Sequence, residues 1–217
     1  MAKFSILSRY LRIAYVRMTL FTCGLNTTGR QRLMGFYRLW APFYDWTCWL
    51  DPGYSRGLQR MVELTVDPND HCIDIGAGTG LATVKAARRA KRVVAVDPSQ
   101  AMLKRLHRKV VQLNLVNVDV RAGFLSDVVK PRETFECAIS SFMLVHLSLE
   151  QRTALLREVG RLLKPGGKIG LFAAQGEVAR CFQTSDEIIK ELSNAGFHRI
   201  IVEGISDVYQ LAQAEKP

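Results

Sequence analysis

The chain has 217 residues, of which 48% are apolar and 23% charged, and its formal net charge is +10. This length accommodates one domain with a full core, and the composition excludes a disordered chain or one made of membrane spans. The five cysteines are odd in number and never form a C-x-x-C pair, so neither a disulfide framework nor a metal site is expected. We expect a reducing, cytoplasmic setting and a domain over residues 51–217, preceded by a helical extension over residues 1–50.

The extension begins with a basic segment. Residues 1–44 contain no acid and seven cations: Lys3, Arg9, Arg12, Arg17, Arg30, Arg32 and Arg38. As a helix, residues 3–21 would have one apolar and one polar, Arg-bearing face, a pattern typical of a helix in an anionic membrane interface. This predicts peripheral attachment to the inner face of the membrane. An amphipathic helix packed on a protein surface and an organelle transit peptide are the alternatives. No stretch reaches the roughly 20 apolar residues of a membrane-spanning helix.

The rest of the extension, FYRLWAPFYDWTCWL, is dense in aromatic side chains. Tyr37, Tyr44 and Asp45 are the candidates for positioning a substrate, and simple packing of the rings on the core is the alternative. Only GEVARCFQ separates the predicted fifth strand from the next helix, so the cover of a site must come from this segment. The full cluster is Tyr37, Trp40, Tyr44, Asp45, Trp46 and Trp49.

From residue 71 onward, strand-like runs alternate with helical patterns. The predicted strands are HCIDIG, VVAVD, VDVRAG, CAISSF, KIGLFAA, RIIVEGI and VYQLAQA. Alternation of this kind predicts an α/β fold with a doubly wound, mostly parallel sheet of seven strands. Only Ser206 and Asp207 separate the last two strands, so they form a hairpin and one strand is antiparallel to the rest.

Several helix ends are marked in the sequence. Two starts have the spacing of a capping box: Ser148 with Gln151 and Thr184 with Glu187. LLKPGGKI predicts that a helix ends before Pro165 and that the two glycines turn into the next strand. The basic runs at 85–92 and 104–109 lie in the C-terminal halves of helices, and we expect them to be solvated.

The turn after the first strand has the pattern of a nucleoside site. It reads DIGAGTG, so Asp74 precedes Gly76, Gly78 and Gly80. This G-x-G-x-G spacing is one residue shorter than the dinucleotide fingerprint, and an acid here suits an ammonium group but repels a pyrophosphate. Asp97 ends the second strand 17 residues after Gly80, a position suited to ribose hydroxyls. Together these features predict a nucleoside joined to an amino acid.

With these motifs, the chain resembles the class I S-adenosylmethionine-dependent methyltransferases over about residues 37–216. The resemblance rests on DIGAGTG, on Asp97, and on FECAISSFMLVHL and RLLKPGGKIGLF as fourth and fifth strands. It implies S-adenosylmethionine as cofactor. Gly123 and Phe124 stand where many relatives carry a glycine and an adenine-binding acid, so that contact falls to backbone or to Asp127. The resemblance places the cofactor near Asp74, Gly76, Gly78, Thr79, Gly80, Asp97, Pro98, Ser99, Met102, Gly123, Phe124 and Ser141.

The segment after the fourth strand bears on the acceptor. Enzymes that methylate nucleobase amines commonly carry Asn/Asp-Pro-Pro-aromatic there, whereas this chain has Ser140, Ser141, Phe142 and Met143. A nucleic-acid partner is therefore not expected. His146 is a candidate base, and a packed or solvent-facing histidine is the alternative.

Two enzyme groups share further features with this chain. The segment from Tyr37 to Asp45 is similar to the entry segment of the ubiquinone and menaquinone C-methyltransferases and of the bacterial phospholipid N-methyltransferases. Ser141 and Phe142 match the Ser-Phe of the quinone enzymes. We predict methyl transfer to a small or lipidic acceptor, preferably a phospholipid amine at a membrane surface, because a neutral amine needs little help.

Four alternatives stay open at this stage. They are C-methylation of a quinone precursor, RNA methylation, a non-catalytic binding partner that keeps the cofactor fold, and a nucleotide-dependent oxidoreductase. The basic charge favours RNA, and the short glycine spacing disfavours the oxidoreductase. The sequence does not predict an oligomeric state.

Overall fold

A computed structural model describes residues 30–49, 51–130, 134–176 and 182–217, with side chains from residue 34 onward. Residues 3–21, Cys23 and Cys181 lie outside the described residues, so the interface helix stays a prediction. Among the described helices, none combines the length and the apolar character needed to cross a membrane.

Two helices precede the sheet in the described part of the chain. Helix α1 spans Arg30–Trp49 and α2 spans Pro52–Thr65. Asp51 caps α2: its carboxylate accepts a hydrogen bond from the backbone N–H of Gly53 at 2.8 Å, and Pro52 occupies the first helical position. Tyr209, from the last strand, donates its hydroxyl to the same carboxylate. The start of α2 is therefore fixed both locally and by the sheet.

The sheet has seven strands in the order β3-β2-β1-β4-β5-β7-β6. Only β7 is antiparallel to the others, and it forms a hairpin with β6, so the predicted topology is confirmed. The order reverses between β1 and β4, the place where open α/β sheets bind ligands. The strands are β1 His71–Ile75, β2 Arg92–Asp97, β3 Val118–Ala122, β4 Phe135–Ser141, β5 Leu163–Ala174, β6 His198–Gly204 and β7 Tyr209–Glu215.

Helices cover both faces of the sheet. Cys72 and Ile73, neighbours in β1, are fully buried on opposite faces and belong to two separate apolar clusters. Helices α2, α3 and α4 cover the Cys72 face, and α5, α6 and α7 cover the Ile73 face. The helices after α2 are α3 Leu81–Ala87, α4 Gln100–Gln112, α5 Leu125–Val128, α6 Leu149–Leu162 and α7 Ser185–Asn194. Both predicted capping boxes are present, at the starts of α6 and α7.

The region after α6 differs from the prediction in one respect. The helix does end before Pro165, but β5 starts at once, and the two glycines lie inside the strand rather than in a turn. The pairing with β4 slips there, because Phe135 pairs with Leu163 whereas Cys137 pairs with Lys168. The backbone of Gly166, at φ +73°, donates to the carbonyl of Lys216 at 3.0 Å. This bulge is held by the C-terminal strand, which the local sequence does not reveal.

Candidate active site

A cavity of about 1050 Å³ opens at the carboxyl ends of β1, β2 and β4, and α1 forms one of its walls. Its volume slightly exceeds the usual range for ligand pockets, about 300–1,000 Å³, so it has room for a cofactor and a second molecule. The predicted site residues that line it are Tyr37, Tyr44, Gly76, Gly78, Asp97, Pro98, Ser99, Met102, Gly123, Phe124, Ser141 and His146.

The glycine turn forms the floor of the cofactor half. The backbone N–H groups of Gly76 and Ala77 donate to the carbonyl of Val96 at 2.9 and 3.1 Å, which anchors the turn to β2. Gly76 has φ +74°, and a Cβ at this position would overlap the side chain of Met143. Only glycine therefore satisfies both the backbone angle and the close approach of the β4 loop.

Asp97 is held as a preorganised acceptor. One carboxylate oxygen accepts from the N–H of Ser99 at 2.7 Å, and the other accepts from the N–H of Gly78 at 2.9 Å. Burial raises the pKa of Asp97 to about 6, partly opposed by these two hydrogen bonds. At neutral pH the group is a carboxylate with lone pairs left for hydroxyl donors on the cavity side. This arrangement fits the ribose of a nucleoside.

The loop after β3 continues the same wall. Gly123 donates its N–H to the carbonyl of Asp97 at 3.1 Å, and Phe124 is the N-cap residue of α5. Asp127 also lines the cavity, so an acid is present near the position where the resemblance expects one. Pro98, Ser99 and Met102 lie on the β2 side of the same half.

Asp74 does not reach the cavity. Its side chain is buried beneath the turn, and the Thr83 hydroxyl of α3 donates to one carboxylate oxygen at 2.6 Å. The other oxygen is buried with no hydrogen-bond partner in the described part of the chain. Burial raises the pKa of Asp74 to about 7. Because successive strand residues alternate in direction, Asp74 points towards α3 and does not line the cavity.

Thr79, Gly80 and Asp45 also lie outside the cavity wall. The Thr79 hydroxyl donates to Asp45 at 2.6 Å, and the ammonium of Lys109 forms an ion pair with Asp45 at 2.7 Å. The same ammonium donates to the backbone carbonyl of Thr79 at 2.8 Å. Gly80 is the N-cap of α3 at φ +88°. Asp45 thus joins α1 to the glycine turn and to α4, and it is not among the residues that line the cavity.

Lys109 is a residue whose role the sequence did not indicate. The run 104–109 was expected to be solvated, but the Lys109 side chain is only 22% exposed because it points to the junction of α1 and the glycine turn. A single lysine in a basic run gives no sign of its partner, which lies 64 positions earlier in the chain at Asp45.

The second half of the cavity is aromatic. Tyr37, Trp40 and Tyr44 reach it from α1, and Phe142 and His146 reach it from the segment after β4. The Tyr37 hydroxyl and Nε2 of His146 are 2.6 Å apart, a hydrogen bond whose donor depends on the histidine tautomer. The rings of Trp40 and Tyr44 pack edge to face at 5.2 Å. The structure therefore brings together Tyr37 and His146, which the sequence analysis identified as separate candidates.

The other two tryptophans of the segment are not part of this wall. Trp46 and Trp49 are 61% and 76% exposed and point away from the cavity. The predicted aromatic cluster is thus divided between two faces of α1, because a helix turns by 100° per residue.

The aromatic half keeps its titratable groups neutral. Burial lowers the pKa of His146 to about 4. Burial also raises the pKa of Tyr44 well above its ordinary value. At pH 7 the imidazole and the phenol are both uncharged, since removal from water disfavours the charged form of either group.

The charges that line the cavity are mostly acidic or already paired. Asp97 and Asp127 have no cationic partner among the described ion pairs. Arg152 binds Glu191 at 2.7 Å, and Glu158 binds Arg161 at 2.7 Å. The lining is therefore better suited to a cationic or neutral ligand than to an anionic one. Within the described ranges, no group of three His, Cys, Asp or Glu side chains is arranged to hold a metal ion.

Comparison with known proteins identifies the domain. Residues 72–167 match a family model described as a methyltransferase domain. The carboxy-S-adenosyl-L-methionine synthase of Shewanella woodyi is 31% identical over 124 residues, 54% of this chain and 50% of that protein. An uncharacterized methyltransferase of Staphylococcus carnosus is 24% identical over 184 residues, 82% of this chain and 84% of that protein. The chain spans about half the length of the first curated relatives it matches.

Solved structures show the same fold. The DhpI–SAH complex superposes with a TM-score of 0.70 at 22% identity, covering 85% of this chain and 95% of that one. The N-methyltransferase NodS from Bradyrhizobium japonicum WM9, in complex with S-adenosyl-L-homocysteine, gives 0.64 at 17% identity and covers 76% and 88%. Residues 72–167 therefore form a methyltransferase domain, and the fold is the one seen in solved structures that hold S-adenosylmethionine or S-adenosyl-L-homocysteine.

Proposed function

We propose that this protein transfers a methyl group from S-adenosylmethionine to the nitrogen of an amine carried on an apolar body, preferably a phospholipid amine. The observation that carries the proposal is the aromatic half of the cavity, where a neutral Tyr37–His146 pair faces the room left beside the cofactor half. An apolar acceptor gains free energy by leaving water for such a wall.

The cofactor would lie between the glycine turn and Asp97. When bound, it supplies the electrophilic methyl group of a sulfonium. Asp97, held by its two backbone hydrogen bonds, would accept from the ribose hydroxyls, and Gly76 and Gly78 would let the ligand approach the backbone closely. Pro98, Ser99 and Met102, which line the same half, would flank the adenine.

The aromatic half prepares the acceptor by excluding water. The burial that lowers the pKa of His146 acts in the same direction on any ammonium group beside it, so a bound amine loses its proton and exposes its lone pair. Alignment of that lone pair is the main contribution a protein makes to a displacement of this kind.

The proton of the amine leaves after the N–C bond forms. The Tyr37 hydroxyl can accept it while passing its own hydrogen to Nε2 of neutral His146 along their 2.6 Å hydrogen bond, which also orients the ring. Because its pKa is about 4, His146 passes the proton on to water and returns to the neutral state. The faces of Trp40 and Tyr44 also suit a cationic product, since cation–π attraction contributes about 0.5–2 kcal/mol.

C-methylation of a quinone precursor is the second candidate. The Tyr37–His146 hydrogen bond favours it, because this reaction needs a base to deprotonate the acceptor, and the pair offers one. His146→Gln separates the two candidates: it should abolish C-methylation but only slow methylation of an amine, which loses its proton once it is methylated.

One experiment tests the proposal against RNA methylation and against a non-catalytic role. The full chain is incubated with methyl-labelled S-adenosylmethionine and whole-cell extract, and the extract is separated into lipid, RNA, protein and small molecules. We expect label in the lipid fraction, on an amine headgroup. Label confined to RNA, or no label in any fraction although calorimetry detects cofactor binding, contradicts the proposal.

A further inference from the structure

Between Leu39 and Trp49, the outer face of α1 is an apolar strip, which we call the α1 stripe. It consists of Leu39, Phe43, Trp46 and Trp49, which are 73%, 62%, 61% and 76% exposed. At 100° per residue these side chains fall within one third of the helix circumference. Single exposed apolar residues are common, but a contiguous patch on one helix marks an interaction surface.

The stripe is not the core-facing side of α1. Trp40, Ala41 and Cys48 are buried on the opposite side of the helix, and Tyr37 and Tyr44 line the cavity there. The helix therefore has two apolar faces: one completes the active site, and the other is turned outward. The amphipathic pattern of an ordinary surface helix would instead place polar residues on the outer face.

The stripe belongs to a segment whose sequence is basic up to residue 44. Residues 1–44 carry seven cations and no acid. The first acid of the chain is Asp45, and its carboxylate is turned inward to Lys109 and Thr79. Arg38, at the edge of the stripe, is exposed. An apolar strip with Arg38 at its edge, in a segment that is basic by sequence, complements a surface with an apolar interior and anionic groups above it.

From this combination we infer that the α1 stripe is the docking surface for an anionic lipid bilayer. Tryptophan is favoured at the boundary between lipid headgroups and acyl chains, because its ring is apolar and its N–H is polar. A second copy of the chain would bring two acid-free basic segments together, and their repulsion disfavours it. A nucleic acid would pair its phosphates with the cations but would leave the four apolar side chains exposed to water.

Docking on this face would bring α1, which forms one wall of the active-site cavity, to the membrane surface. Tyr37 and Tyr44 project from the same helix into the cavity, so an acceptor with acyl chains could pass from the bilayer along α1. Entry of the acceptor from the bilayer rests on the proposed lipid-like acceptor, whereas docking of the α1 stripe on the bilayer does not.

The test measures vesicle binding of the full-length chain. Wild type, the stripe variant Trp46→Ser with Trp49→Ser, and a control, Val116→Ser with Ile201→Ser, are floated with phosphatidylcholine vesicles with or without phosphatidylglycerol. The control also removes two exposed apolar side chains, but from a loop and from β6. We expect wild type and control to bind the anionic vesicles alike, and the stripe variant to bind roughly tenfold more weakly.

Fluorescence gives a second readout. Trp40 is buried, so a blue shift on adding anionic vesicles should come from Trp46 and Trp49. If the double tryptophan variant melts below wild type, Leu39→Gln with Phe43→Gln replaces it in the same assay. The inference is overturned if the wild-type protein does not bind anionic vesicles, or if a folded stripe variant floats with them as well as wild type does. It is also overturned if the variant alters self-association but not vesicle binding.

Turnover distinguishes this inference from the proposed function. With an amine acceptor dissolved as monomers, the stripe variant should methylate as fast as wild type, because neither tryptophan touches the cavity. Vesicle binding without methyl transfer to any amine would contradict the proposed function and leave the docking surface standing.

Discussion

The two halves of the cavity are built in different ways. In the cofactor half, the backbone N–H groups of Gly78 and Ser99 hold the Asp97 carboxylate. These residues lie in the turns that follow two neighbouring strands, β1 and β2. In the aromatic half, Tyr37 and His146 meet across 109 positions of sequence. The first half is thus stabilised by local geometry, whereas the second exists only while α1 stays on the domain. Variants in the two halves should therefore change different measured quantities.

The largest effect is expected at Asp97. Asp97→Asn should weaken S-adenosylmethionine binding on the order of 100-fold, because hydrogen bonds to a charged group contribute about 1.5–3 kcal/mol each and the amide places an N–H₂ against a backbone donor. Calorimetric titration measures the dissociation constant. Asp119→Asn is the matched control, since this carboxylate binds Arg92 and Arg121 outside the cavity. Equal affinity of the two variants would refute the assignment of Asp97.

Alanine variants at Gly76 and Gly166 distinguish the effect of side-chain crowding from the effect of backbone strain. Both have φ near +74°, but a Cβ at Gly76 would overlap Met143, whereas Gly166 has open space around it. Gly76→Ala should weaken cofactor binding by roughly 10- to 100-fold and lower the melting temperature, since overpacking adds about 1–3 kcal/mol to the strain. Gly166→Ala should lower the stability only by the backbone strain and should leave the cofactor affinity unchanged. Similar losses in both variants would mean that the close approach of Met143 is unimportant.

Tyr37→Phe and His146→Gln probe the aromatic half. Each should reduce kcat/KM for the acceptor by roughly tenfold to 100-fold, because orientation of the base is lost, and neither should change cofactor affinity. Initial rates with labelled cofactor, together with calorimetry, give both quantities. His107→Gln, an exposed histidine of α4, is the matched control and should behave as wild type. A change in cofactor affinity in either variant would show that the aromatic half also contributes to cofactor binding.

The pH dependence of Asp97 should move affinity and stability in opposite directions. Its pKa in the folded chain is about 6, above the ordinary value of 3.8. The folded state thus binds the proton more tightly, and this carboxyl makes the fold less stable as pH rises from 3.8 to about 6. Cofactor affinity needs the carboxylate and should fall by about tenfold per unit below pH 6. Melting curves and titrations over this range check both signs. Asp97→Asn should remove the affinity trend and reduce the stability trend, because buried Asp74, with a pKa of about 7, keeps its own share of the latter.

The smallest effect is expected at the junction between the halves. Asp45→Asn should lower the free energy of unfolding by about 1 kcal/mol or less, because the pair with Lys109 is partly exposed and screened. A double-mutant cycle with Lys109→Met measures the coupling. If Asp45→Asn instead abolished turnover in a fully folded protein, the sequence-based prediction of a direct role in substrate positioning would regain support over the structural role seen here.

The sequence predicted what depends on neighbouring residues. Strand and helix order, both capping boxes, the hairpin after Ser206 and the glycine turn all follow from short-range patterns. Asp97 was identified as well, because the end of a second strand has a fixed place beside the first turn in this type of sheet.

Tertiary structure decided which of the predicted residues face the cavity. Asp74 points to α3, Asp45 binds Lys109, and the aromatic segment divides between a cavity wall and the exposed α1 stripe. Composition shows that these side chains are present, but their direction depends on the rotation of α1 against the sheet. That rotation is set by packing and by ion pairs between residues far apart in the chain, whose partners no local pattern specifies.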